Sequence, residues 1–166
     1  MAGKSVLLYQ CAGPHQERGC NVAEVKKSVL IAYSAGQIFE LVDAVDKYPE
    51  FLPWCAAASV IPVDERRVKA SVTISYHGVK QSFTTENSRT PPREIEMRLV
   101  EGPFRTLDGC WRFTALNEQA CKIEFGLRYE FSSKLLEKLV GPVFGYIANS
   151  LVEAFLRRAE HVYGHA

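Results

Sequence analysis

Four histidines, five cysteines and nineteen acidic residues are the raw material for acid–base, nucleophilic or metal chemistry in this chain of 166 residues, and their spacing assembles none of it. The histidines stand at 15, 77, 161 and 165, in a tail, a turn and the far end of a long helical pattern, so they do not converge on a general base. The cysteines, at 11, 20, 55, 110 and 121, are odd in number and lack C-x-x-C spacing, which argues against a disulfide framework and against a zinc site. Cys55 is the one reactive candidate in an unusual setting, but no basic partner is identifiable to lower its pKa, and it is read as structural. The sequence therefore predicts no catalytic residues, no metal site and no cofactor.

The distinctive residues are apolar. In Asp46-Lys47-Tyr48-Pro49-Glu50-Phe51-Leu52-Pro53-Trp54-Cys55, two prolines four apart prevent a long helix, while Tyr48, Phe51, Leu52 and Trp54 crowd large apolar groups into a stretch that otherwise reads as loop. Such a run either plugs the core or forms the apolar mouth of a ligand site.

The elements that position this run follow from periodicity. Val25, Lys27, Val29 and Ile31 alternate with their neighbours over residues 24–33 as a strand, and Ser34 caps a short helix burying Ile38, Phe39, Leu41 and Val42. From residue 56 to 131 the chain reads as six antiparallel strands. Val68, Ala70, Val72, Ile74 and Tyr76 share a face, and His77-Gly78 turns the chain into Val79, Gln81, Phe83 and Thr85. Pairing Tyr76 with Val79 sets Ile74 opposite Gln81 and Val72 opposite Phe83. Ile95, Met97 and Leu99 form the next inward set, and Glu101-Gly102-Pro103 turns the chain again. Same-face pairing of Trp111 with Phe125 and of Phe113 with Ile123 predicts a three-residue loop over Asn117–Gln119, with Cys121 pointing inward and Cys110 outward.

Residues Ser132–Tyr163 carry the long helical pattern. Leu136, Val140, Phe144, Ile147, Leu151, Phe155, Ala159 and Val162 make one apolar stripe, with Lys134, Lys138, Asn149, Glu153, Arg157 and Glu160 opposite. Ser132 or Ser133 caps its start, and Gly141-Pro142 predicts a kink or short break. Strands segregated from helices define an α+β fold in which a curved antiparallel sheet of about seven strands grips a long C-terminal helix. Ala70, Thr85 and Gly109 among bulky inward residues predict a cavity between sheet and helix.

Bulk properties narrow the function. A formal charge of +1 predicts no strong field for DNA, and no apolar run approaches the ~18 residues of a membrane span, so a soluble protein of the reducing cytoplasm is expected. The hydrophobic content of 47% fills one core. Residues 1–22 fit no secretory or mitochondrial leader and are read as a disordered extension before one domain over residues 23–164.

The Tyr48–Cys55 run, the Glu101-Gly102-Pro103-Phe104 turn, the Trp111-Arg112-Phe113 strand and the closing helix with Ala154-Phe155 together resemble the coenzyme Q-binding branch of the START-like helix-grip superfamily, which also holds polyketide cyclases and lipid transporters. The likeness covers residues 24–163, and within the branch the RatA-like ribosome-association toxins are most similar. It implies a helix-grip cavity and, as its occupant, a polyprenyl quinone such as ubiquinone, carried in support of respiration with peripheral contact at the inner membrane. Burial of an isoprenoid tail contributes about 0.8 kcal/mol per carbon group. Tyr48, Phe51, Leu52 and Trp54 are then the mouth. Phe83, Met97, Trp111, Phe113 and Phe125 are the wall opposite Phe144, Ile147 and Leu151, and Gln81 and Tyr129 are the polar tips for a quinone oxygen.

Two other roles compete. An enzyme would need a buried acid or base, and the inward positions supply none. A toxin blocking subunit joining would bind the large ribosomal subunit. The outward cations Lys69, Lys80, Arg98, Arg105, Arg112, Lys122 and Arg128 are scattered and diluted by Glu86, Glu94, Glu96, Glu124 and Glu130, while the aromatics that would stack on RNA point inward. The toxin role is thus implied by the resemblance alone.

Overall fold

A computed structural model gives the structure of the protein and describes residues 22–164. The extension expected over residues 1–22 lies, but for Val22, outside the described residues, as do His15, His165, Cys11 and Cys20. β1 (Ala23–Ile31) leads into α1 (Ala35–Asp43) and a 3-10 helix (Val45–Glu50). Then come β2 (Cys55–Pro62), β3 (Arg67–Tyr76), β4 (Val79–Thr90), β5 (Glu94–Glu101), β6 (Phe104–Asn117) and β7 (Ala120–Phe131), and α2 (Lys134–Tyr163) closes the fold. The seven strands make one antiparallel sheet in the order β1-β7-β6-β5-β4-β3-β2, with both helices against its concave side.

Local chemistry explains the joints. The Ser34 hydroxyl accepts from the Gln37 amide at 3.1 Å while the Gln37 side chain accepts from the Ser34 amide at 3.0 Å, a reciprocal cap that starts α1. His77 and Gly78 hold positive φ values of 48° and 79°, the hairpin geometry that matches strand twist, and Tyr76 pairs with Val79, Ile74 with Gln81 and Val72 with Phe83 as the alternation predicts. Trp111 faces Phe125 and Phe113 faces Ile123, also as predicted.

The connecting loop differs from expectation. Asn117 pairs with Ala120, leaving a two-residue turn, and an irregularity between Ala115 and Asn117 absorbs the extra residue. The Asn117 side chain tightens that turn by accepting from the Gln119 amide at 2.7 Å. Cys110 points away from the concave side as expected, yet it is fully buried, with Gly126 facing it and Glu94 Oε1 3.4 Å from its Sγ.

Helix α2 starts at Ser133, whose hydroxyl accepts from the Leu136 amide at 3.2 Å. It runs unbroken through Gly141-Pro142. The carbonyl deprived of its donor by Pro142 belongs to exposed Lys138, where water replaces the lost bond. The sheet-facing stripe is Val140, Phe144, Ile147, Ala148, Val152, Phe155 and Ala159. Val162, expected inside, is 46% exposed, and Leu135, Leu139 and Tyr146 project into solvent from the face read as polar. The expectation about membrane spans needs the same correction: an 18-residue window of α2 averages a hydropathy of 1.5, apolar enough by length and composition to cross a bilayer.

On the convex side the register aligns charges across the sheet. Lys69 pairs with Glu86, Glu86 with Arg98, Arg98 with Asp108, Asp108 with Arg128 and Arg128 with Glu24. The row alternates in sign from β3 to β1, which sheet chemistry favours because facing opposite charges attract and like charges repel.

Candidate ligand cavity

The site is a partly open cavity of about 100 Å³ between α2 and the concave face of β3 to β7. Small residues make the space. A Cβ on Gly109 would lie 2.6 Å from the Met97 terminal methyl, so Met97 folds over the glycine instead of filling the centre. Ala70 and Ala148 add further room from β3 and α2. On either side the packing is dense. Phe144 meets Tyr129 at 4.6 Å and Phe104 at 4.9 Å between centroids, and Trp111 stacks on Phe125 at 4.4 Å with Phe155 at its edge.

The proline-rich run forms one side. Its first half is a plug: Tyr48 and Phe51 set their rings edge-on to Phe155 at 5.3 Å and 5.6 Å, and Leu52 is 1% exposed. The Arg158 guanidinium lies over Phe51 at 4.9 Å and pairs with Glu50 at 3.1 Å, tying the run to α2. Its last aromatic, Trp54, lines the cavity on one side and an outer groove of about 320 Å³ on the other. The groove is walled by Phe51, Leu52, Tyr76, Tyr146, Arg157 and His161, among others, and the Tyr76 and Tyr146 rings lie parallel across it. Trp54 is therefore the partition between inside and outside.

Nine of the residues expected at the site line the cavity: Tyr48, Trp54, Phe83, Met97, Trp111, Phe125, Phe144, Ile147 and Leu151. Phe51 and Leu52 line the outer groove instead. Gln81, Phe113 and Tyr129 line neither. Gln81 sits half-exposed near the hairpin end of β4, Phe113 packs beneath α1 against Phe39 at 5.9 Å, and Tyr129 is wedged against Phe144 of α2 at 4.6 Å. Val45, Thr85, Asn87, Leu107, Leu127 and Ala148 complete the wall with Ala70, Val72 and Ile74 of β3. The missed signal for Asn87 is parity: residues 81, 83, 85 and 87 share one face of β4.

Electrically the cavity is nearly empty. None of its lining residues is Asp, Glu, Lys or His. The Tyr48 hydroxyl donates to the Val42 carbonyl, and burial pushes its pKa far up. The polar pair Thr85 and Asn87, each 5% exposed, interrupts the apolar wall, the Thr85 hydroxyl donating to Asn87 Oδ1 at 2.7 Å. Cys55 flanks the cavity with its thiol pushed up to about 11 by burial, the opposite of an activated nucleophile.

Residues 31–156 match the family described as polyketide cyclase / dehydrase and lipid transport. The chain belongs to this family. Within it, the chain is 48% identical over 141 residues to the "Ribosome association toxin RatA" of Vibrio cholerae, covering 85% of this chain and 98% of the relative. It is 25% identical over 150 residues to the "Coenzyme Q-binding protein COQ10 homolog B, mitochondrial" of Xenopus laevis, covering 88% of this chain and 62% of that one. The crystal structure of the ZhuI aromatase/cyclase from Streptomyces sp. R1128 superposes with a TM-score of 0.70 over 87% of this chain and 99% of that one at 18% identity, a likeness of fold alone. The family's sheet-and-helix grip is the architecture found here, and the two relatives place the chain in the branch holding RatA and the coenzyme Q-binding proteins.

Proposed function

We propose that the protein binds a polyprenyl quinone, ubiquinone being the type, without acting on it chemically, and carries it in the cytoplasm with peripheral contact at the inner membrane. The supporting observation is the cavity wall, apolar apart from Thr85 and Asn87 and without an acid or base to run a reaction. The name of the Xenopus relative supplies the ligand class. At about 100 Å³ the cavity is smaller than the roughly 300 Å³ at which ligand pockets begin, so a quinone needs it enlarged, and displacement of Trp54 would join it to the outer groove. A tail would then leave past Trp54, with burial of each carbon group contributing about 0.8 kcal/mol.

Solvent extraction and mass spectrometry of protein purified from a quinone-producing bacterium test this reading, beside an Ala70→Leu variant that fills the cavity. Near-stoichiometric quinone in the wild type and little in the variant supports it. An empty wild-type protein overturns it.

A second reading, association with the large ribosomal subunit to block subunit joining, is favoured by the name carried by the 48% identical relative. The convex row of alternating charge makes that sheet face a poor electrostatic match for RNA, so the contact would lie elsewhere. Co-sedimentation with separated subunits across a salt series tests it, and absence of the protein from the large-subunit pellet at low salt removes it.

A further inference from the structure

We propose that Asn87 is the polar recognition point of the cavity, taking a hydrogen bond from its amide to an acceptor oxygen at the leading end of an otherwise apolar ligand. The inference rests on the ligand-carrying reading and adds which group is recognised and which end enters first. Asn87 is 5% exposed on a wall otherwise built of aliphatic, aromatic and sulfur-bearing side chains apart from Thr85 beside it, and the Tyr48 hydroxyl there is already engaged by the Val42 carbonyl. The one hydrogen bond its side chain makes among the described residues is that from Thr85. A side-chain amide has two N–H donors, and one threonine hydroxyl engages at most one of them in either orientation of the amide. At least one N–H is therefore left facing the cavity, where a leucine of similar size would pack without desolvation cost.

Position gives direction. Gln81, on the same face of β4, pairs with Ile74, next to Ser75, whose amide donates to the Trp54 carbonyl at 2.9 Å. Asn87 lies six residues further along the strand, about 20 Å from Gln81 at strand rise, and so at the far end of the cavity's β4 wall. A ligand entering past Trp54 thus sends its oxygen-bearing end toward Asn87 and leaves its tail at the mouth. The ligand class is a ring or chain with a carbonyl or ether oxygen at one end and hydrocarbon elsewhere.

The test compares a short prenylated 1,4-benzoquinone with the same prenyl tail on plain benzene, each measured by displacement of an apolar fluorescent dye from the full-length protein. The wild type should prefer the quinone by about 3- to 10-fold, the range of one neutral hydrogen bond. Asn87→Leu should lose the preference and bind both compounds alike. Equal binding of both by the wild type, or an unchanged preference in Asn87→Leu, overturns the assignment and leaves the apolar-cavity reading intact. Binding of neither compound overturns both. The infrared carbonyl band of the quinone bound to wild-type protein gives a readout without a variant: one carbonyl should shift to lower frequency than in hydrocarbon solvent, and two unshifted carbonyls overturn the proposal.

Discussion

Tyr146 on α2 and Tyr76 at the end of β3 lie 5.8 Å apart with their planes 4° from parallel, bridging helix and sheet across the outer groove. Offset aromatic pairs contribute about 0.5–1.5 kcal/mol beyond area burial. Because Tyr146 is 56% exposed, its removal opens the groove without excavating the core. Tyr146→Ala should lower stability by about 1 kcal/mol and speed the release of a bound apolar dye. Stopped-flow dilution measures the release, and an unchanged rate would show that the clasp does not control exit.

Trp54 divides groove from cavity, so shortening it should connect them. Trp54→Ala should cost about 3–5 kcal/mol and let a longer prenyl chain bind than the wild type accepts. Trp54→Phe should keep most of the stability and an intermediate length limit. Denaturant titration together with a series of tail lengths distinguishes partition from simple packing: equal length limits in all three proteins would assign Trp54 to packing alone.

Gly109 creates room by letting Met97 fold across it. An alanine Cβ there would stand 2.6 Å from the Met97 methyl and 3.2 Å from the Gly126 carbonyl oxygen, forcing the flexible methionine toward the cavity. Gly109→Ala should cost about 1–3 kcal/mol and weaken dye binding. Adding Met97→Ala should restore binding above the single variant, which isothermal titration can read. No rescue would mean that the glycine serves the backbone approach instead.

Burial raises the Cys55 and Cys121 thiols from the ordinary 9.0 to about 11. The fold favours the neutral thiol, so this contribution to stability is complete below pH 9 and is lost as pH rises through 11. Melting temperatures should therefore fall between pH 9 and 11, and less steeply in Cys121→Ala than in the wild type. Thiol reagents at pH 8 should modify both cysteines only as fast as the fold opens, which added denaturant accelerates.

The sheet, the closing helix and most of the cavity wall were legible in the sequence because each rests on a short period. The two-residue alternation through Val72, Ile74, Phe83, Trp111 and Phe125 fixes both register and facing, and the structure keeps every one of those pairings. What escaped depended on distance along the chain. Nothing local says that Phe113 is covered by Phe39 of α1, or that Tyr129 packs against Phe144 of α2, and these contacts take an expected wall residue and an expected polar tip away from the cavity. Asn87 escaped for another reason: a polar residue on an inward parity reads as the end of a buried set, when here it is part of the wall. The outer side of α2 misled because Leu135, Leu139 and Tyr146 depart from the polar pattern around them.

The row from Lys69 to Glu24 also acts as a proofreader of strand alignment. The smallest slide of β5 that keeps its inward side chains inward is two residues. In one direction that slide moves Glu96 into the place of Arg98, between Glu86 and Asp108, so three carboxylates would stand side by side. In the other it brings Val100 there and strands both acids beside an aliphatic group. Hydrophobic alternation alone tolerates either misalignment, whereas the charges on the opposite surface reject both. The face that gives the protein little grip on a polyanion is thus the one that holds β5 in step and keeps Met97 over Gly109, where the cavity begins.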